Sequence, residues 1–231
     1  MTTSEERHHM NKPFGFIRWN ITIAFAVFVI LSPFLMVVTR SFLSFMLGFN
    51  VFLAFVPMFL IWYLTTHPTK TFFHYLLVVV FILFLPNTFY VITDMIHLNS
   101  ASFYTSEALY SPNVYLEDIG SYIMLVHIGF TVLFGVYAGI VSLIGFETLL
   151  RSYRLKAVHI NLILFATILL SSIGIYIGRF LRFFSWDILN PLKILTELIQ
   201  NMNLFMVLFI LLFTGVQGIL YYMGKHIIPT N

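Results

Sequence analysis

Six stretches of the chain run for about 20 residues with scarcely a charge, and short polar clusters separate them. A helix rises about 1.5 Å per residue, so roughly 20 apolar residues cross a hydrocarbon core of about 30 Å. The pattern predicts spans over Ile21 to Val38, Phe42 to Leu64, Phe72 to Ile92, Gly120 to Ile144, Val158 to Ile177 and Leu204 to Met223. The first is expected to remain as a span: its apolar run is longer than the roughly 7 to 15 residues of a signal peptide's core, and no small-residue cleavage site follows before Arg40. The expected fold is an all-α, polytopic transmembrane helix bundle of about six spans. One membrane domain covers residues 21–224, between a charged N-terminal segment (1–20) and a short tail (225–231).

Between the last two spans, Asn190 and Pro191 form an N-cap and first-turn pair. Leu192, Leu195, Leu198, Ile199 and Met202 then recur at helical spacing. This predicts a short amphipathic helix lying in the membrane surface. Glu147 and Arg151, four residues apart near the end of the fourth span, read as a helix-end ion pair.

Composition agrees with the pattern: 60% of residues are hydrophobic, 9% are charged, and the mean hydropathy is +0.94, which leaves too few charges to cover a water-soluble surface. With no cysteine there is no disulfide framework, thiolate nucleophile or cysteine-ligated metal, so any metal would need His, Asp or Glu. A pI near 9.1 without a basic run or basic helix face points to membrane orientation, not nucleic acid, and membrane lipids are the expected partners. No pattern names a cofactor.

Lys and Arg set the orientation. With a cytoplasmic N-terminus, Arg7, Lys12, Arg18, Lys70, Arg151, Arg154, Lys156 and Lys225 face inward, and only Arg40, Arg179, Arg182 and Lys193 of the 12 face outward. Three of those four fall between spans five and six, which marks a local requirement for cations. Both termini are therefore expected inside.

Chemistry concentrates at the outer end of the third span, in Leu85-Pro86-Asn87-Thr88-Phe89-Tyr90-Val91-Ile92-Thr93-Asp94-Met95-Ile96-His97-Leu98. On an α-helix Asn87, Tyr90, Asp94 and His97 fall within about 80° of one another, with Thr93 at the border. Pro86 has no amide hydrogen for the carbonyl of Ile82, so a kink is expected where the stripe begins. The bland reading makes Asn87 a helix-end cap and Tyr90 and His97 interface residues. Polar groups at membrane depth, however, usually face protein or water, and an acid one turn from an imidazole marks a site with Asp94 and His97 as candidate catalytic groups.

The second stretch is Gly178-Arg179-Phe180-Leu181-Arg182-Phe183-Phe184-Ser185-Trp186-Asp187. Arg179 and Arg182, three apart, are expected on one side of a helix, where guanidinium forks hold phosphate or carboxylate. Snorkelling to headgroups or pairing with acids are the structural alternatives. Asn87, Tyr90, Thr93, Arg179, Arg182, Trp186 and Asp187 form the candidate substrate-binding set. No metal spacing is present; a weaker alternative joins Asp94, His97 and His127, which lies about two turns inside span four, into a divalent site.

Together the two stretches resemble a bacterial family of uncharacterised multi-span membrane proteins marked by LPNxxYxxTDxxHL and GRFxRxxSWD. The resemblance extends over nearly the whole span region, including Asn50 to Pro57 (NVFLAFVP). It implies a multi-pass protein of the bacterial cell membrane in which Asn87, Tyr90, Thr93, Asp94, His97, Arg179, Arg182, Ser185, Trp186 and Asp187 are hallmark positions. It implies no reaction.

Three functions fit the residues: binding or processing of an anionic lipid or lipid-linked substrate, ion-coupled transport of a small solute, and assembly of a membrane complex. Topology is testable independently of all three. Because the chain lacks cysteine, a Ser111→Cys variant should be labelled by an impermeant thiol reagent in intact cells. Labelling only after membrane disruption would reverse the orientation.

Overall fold

The computed structural model describes residues 19–67, 69, 71–105, 114–183 and 190–227. It is an all-α bundle of α1 (Trp19–Thr39), α2 (Phe42–Thr66), α3 (Phe72–Phe84), α4 (Pro86–Tyr90), α5 (Ile119–Ser152), α6 (Ala157–Tyr176), α7 (Pro191–Gln200) and α8 (Leu204–Ile227). A 3-10 segment (Val91–Ser100) extends α4, and a π turn (Ile177–Leu181) extends α6. Two pairs of residues, from β1 (Tyr104–Thr105) and β2 (Val114–Tyr115), form the small antiparallel ladder before α5. Six helices, counting α3 through the 3-10 segment as one and the π turn with α6, are long and apolar enough to cross a membrane. The chain is thus a multi-pass membrane protein by length and composition. The predicted surface helix is present as α7, whose Leu192, Leu195 and Ile199 are exposed.

The long α5 is the central strut, packing against α2, the 3-10 segment, α4 and α8. The main core joins α2, α3, α4, α5, α6 and α8 through Ile61, Phe81, Leu85, Phe89, Phe146, Ile175 and Phe213. Peripheral α1 lies on α2, where Phe25 stacks on Phe55 with centroids 3.6 Å apart. Lipid tails are as apolar as leucine, so hydrophobicity alone does not bring such helices together. Close packing over small residues and polar contacts do.

The small residues here come in two pairs spaced by four. Gly135 and Gly139 of α5 lie against α4: a Cβ on Gly135 would stand 2.6 Å from the Thr88 carbonyl oxygen, and one on Gly139 2.8 Å from the Thr88 hydroxyl. From the other side, Gly174 of α6 meets Pro86, and Gly178 meets the Tyr90 ring. α4 is therefore gripped between two glycine faces, which allows a short polar helix to sit deep in the bundle.

At Pro86 the helical hydrogen-bond pattern is interrupted between α3 and α4 while Leu85 keeps right-handed helical backbone (φ −54°, ψ −38°), and the carbonyls there are satisfied locally. Asn87 Nδ2 donates to the Phe84 carbonyl (3.0 Å), and the Thr88 hydroxyl donates to that of Leu85 (2.8 Å). Beyond Tyr90 the helix tightens into ten residues of 3-10 winding, a long run for that form.

The opposite end of the bundle is fastened by polar clamps. Glu147 accepts from Arg151 Nε (3.0 Å), Lys225 Nζ (2.8 Å) and the Tyr221 hydroxyl (2.5 Å). The helix-end pair read from sequence exists, but the buried carboxylate also ties α5 to α8. His74 Nε2 and the Tyr153 hydroxyl, 2.6 Å apart, join α3 to the end of α5.

Replacing Gly139 by leucine forces a side chain into Phe89 and Thr88, so it should destabilise the protein by about 1–3 kcal/mol. Gly129, with open space around its Cβ direction, should tolerate leucine. Thermal unfolding in detergent measures both, and equal losses would refute the glycine-face account.

Candidate functional site

A proline-started α4 carries Tyr90, and the 3-10 segment that follows presents Thr93, Asp94 and His97. With about three residues per turn, positions three apart eclipse, so the rows become Tyr90 with Thr93 and Asp94 with His97. The single α-helical stripe expected from sequence is thus split in two. Asn87 turns its amide to the Phe84 carbonyl at the break before α4.

Across from these rows stands the π turn, which presents Arg179. Its Nη2 donates to Asp94 Oδ1 at 3.0 Å, and its Nε donates to the Thr93 hydroxyl oxygen at 2.9 Å. Thr93 in turn donates to the Tyr90 carbonyl at 2.6 Å, leaving a lone pair aimed at the guanidinium. The Tyr90 ring lies 5.0 Å from the guanidinium carbon, within cation–π range. The second carboxylate oxygen of Asp94 accepts from Asn50 Nδ2 of α2 at 2.9 Å. His97, half-buried one 3-10 turn on, acts electrostatically on the same carboxylate.

Asp94 is 1% exposed, and the side chain of Arg179 is 15% exposed. A charge withdrawn from water is tolerated only when paired and hydrogen-bonded. Here one acid, one guanidinium, one amide and one hydroxyl complete each other and link α2, the 3-10 segment and the π turn. The two polar stretches, distant in sequence, do meet.

Arg182 does not join them. It ends the π turn in the left-handed conformation (φ 57°, ψ 32°) and is exposed, so the expected common face with Arg179 does not form. Its neighbour Phe183 is covered by Lys193 of α7, whose Nζ lies 5.2 Å from the ring centroid. Ser185, Trp186 and Asp187 lie outside the described residues.

His127 turns elsewhere. Its Nε2 is 3.1 Å from the Ser32 hydroxyl of α1, and Phe28 meets its ring edge-on. No group of three or more His, Asp or Glu side chains placed to hold a metal occurs among the described residues, so Asp94, His97 and His127 do not converge as the metal alternative required. Asn50 and Lys193 stood outside the candidate site residues, although Lys193 was one of the three outward cations of this connection. A lone amide inside an apolar span was the available signal for Asn50.

The fold and this centre define a class: a multi-pass α-helical membrane protein built around a buried acid–arginine pair. Residues 49–220 match the family described as "Protein of unknown function (DUF1361)", and the chain belongs to that family. No curated protein and no solved structure matches the chain.

Breaking a buried pair leaves an uncompensated charge, which costs about 3–5 kcal/mol. Asp94→Asn and Arg179→Gln should each destabilise by that order, and the double variant should lose clearly less than the summed single losses. A thermal or denaturant double-mutant cycle in detergent reads this. Strict additivity would show that the two side chains do not interact.

Proposed function

We propose that the protein binds an anionic lipid or lipid-linked headgroup at the Asp94 end of the bundle, in the bacterial cell membrane. The observation that carries this is the division of the cations. Asp94 neutralises Arg179, whereas Arg182 and Lys193 flank Phe183 and form no ion pair among the described residues. The anion-binding pair is therefore Arg182 with Lys193, and Arg179 positions the π turn from which Arg182 departs.

Two further features support the reading. Left-handed backbone at Arg182, which costs an L-residue about 1–2 kcal/mol, turns its side chain away from the Arg179 pair and leaves it exposed. Lys193 belongs to α7, whose exposed leucines suit the headgroup boundary. Tyr90, Thr93 and Asp94 then act by holding Arg179, and Asn87 by satisfying the backbone where their segment begins. His97 remains the candidate acid or base should the headgroup be processed, and Trp186 and Asp187 extend the proposed binding set.

One observation favours ion-coupled transport as a second reading. Two non-α segments, one 3-10 and one π, lie side by side at the ion pair, and irregular backbone at membrane depth is tolerated where it is buried in protein or lines a path. That reading requires solute flux in proteoliposomes that Asp94→Asn abolishes.

Native mass spectrometry tests the lipid reading. Wild type should retain phosphatidylglycerol or cardiolipin over phosphatidylcholine. A charge-assisted hydrogen bond contributes about 1.5–3 kcal/mol, so Arg182→Gln and Lys193→Gln should each cut that preference by about tenfold or more. Unchanged preference in both variants would refute the assignment.

A further inference from the structure

A second polar feature occupies the same end of the bundle but is made by other elements. A cavity of about 510 Å³ opens between the α1–α2 turn, the residue after the 3-10 segment and the first turns of α5. Arg40 and Asp118 both line it, and both are exposed. Each forms no ion pair with the other or with any described residue, so their charged atoms stand beyond ion-pair distance across a shared space.

We propose that this cavity receives the headgroup of a zwitterionic phospholipid of the phosphoethanolamine type, its phosphate toward Arg40 and its ammonium toward Asp118. A guest with one charge would satisfy one wall and leave the other facing a vacant partner. A guest carrying both charges a few bonds apart satisfies both. The volume lies within the roughly 300–1,000 Å³ of small-molecule sites. Val38 and Ile119, 66% and 72% exposed, line the same space and offer apolar surface to the glycerol and upper acyl chain.

Asp118 is fixed for this task. Its Oδ1 accepts from the Gly120 amide (3.2 Å), and its Oδ2 accepts from the Ser121 amide (3.0 Å) and hydroxyl (2.6 Å). A carboxylate offers about four lone-pair sites, so one on Oδ1 remains for an ammonium N–H. The Ser121 hydrogen bonds, followed by that of Gly120, hold the carboxyl below its ordinary range and keep it anionic. Ethanolamine can donate to it, whereas choline, whose nitrogen bears no hydrogen, cannot.

The test uses the cysteine-free chain with Ser41→Cys, a position that lines the cavity and whose side chain makes no capping bond to α2. Maleimide labelling rates are compared in phosphatidylcholine nanodiscs doped equally with phosphatidylethanolamine or phosphatidylglycerol. The ethanolamine lipid should slow labelling at least about fivefold relative to both other compositions. Adding Asp118→Asn, which keeps a good N-cap while removing the charge, should erase that protection. Arg40→Asn, which suits the left-handed backbone at φ 50°, should erase it as well. Equal labelling in all lipids, or protection that survives both substitutions, would overturn the proposal. None of these positions belongs to the Arg182 and Lys193 patch, so either assignment can fail without the other.

Discussion

A carboxylate and a guanidinium that share a low-dielectric interior hold each other in place, and most of the architecture at one end of this bundle follows from that constraint. Neither Asp94 nor Arg179 could be buried alone, because desolvation of a single charge costs several kcal/mol. Bringing them together requires that the third and fifth spans approach closely and that both present side chains off the regular α-helical register. The 3-10 winding after Tyr90 and the π turn at Arg179 supply that adjustment, one tightening its helix and the other widening it. Asn50 adds a hydrogen bond to the carboxylate and Thr93 accepts one from the guanidinium.

Close approach is possible only because the surrounding surfaces are bare. Gly135 and Gly139 on one flank, and Gly174 on the other, leave room for α4 between α5 and α6, with Gly135 against the Thr88 carbonyl, Gly139 against the Thr88 and Phe89 side chains and Gly174 against the Pro86 ring. The far end uses a different solution, in which Glu147 gathers Arg151, Lys225 and Tyr221 and so docks the last helix. Each end of the bundle thus has one buried acid as its polar anchor, and α5 connects the two regions. Among the described residues, the Asp94 end is the one that adds an amphipathic helix beside cations without an ion pair, which is why the proposed ligand chemistry is placed there.

Six spans and the surface helix were legible because their signals are additive: 20 apolar residues, or five apolar positions at helical spacing, outweigh any single exception. The meeting of the two polar stretches was legible from charge alone, since Asp94 and the arginines had to find partners. The partition of the arginines was not. Spacing of three residues places Arg179 and Arg182 together on an α-helix, and nothing local announces that a π turn and a left-handed residue will separate them. The local bond of Asn87 follows the helix-end reading: a side-chain amide next to a proline break has a backbone carbonyl to satisfy. Asn50 opened the NVFLAFVP segment of the resemblance but had no partner in reach of its own span, since its role depends on a contact 44 positions away.

The central claim is that Asp94 and Arg179 are directly paired within the membrane. Solid-state NMR in lipid bilayers, with 13C in the aspartate carboxyls and 15N in the arginine guanidinium groups, measures that pairing without perturbing it. Strong carbon–nitrogen dipolar dephasing of the Asp94 carboxyl, matching the 3.0 Å nitrogen–oxygen contact, is the expected result, and it should vanish in Arg179→Gln. An Asp94 carboxyl with no dephasing in the wild-type protein would contradict the account.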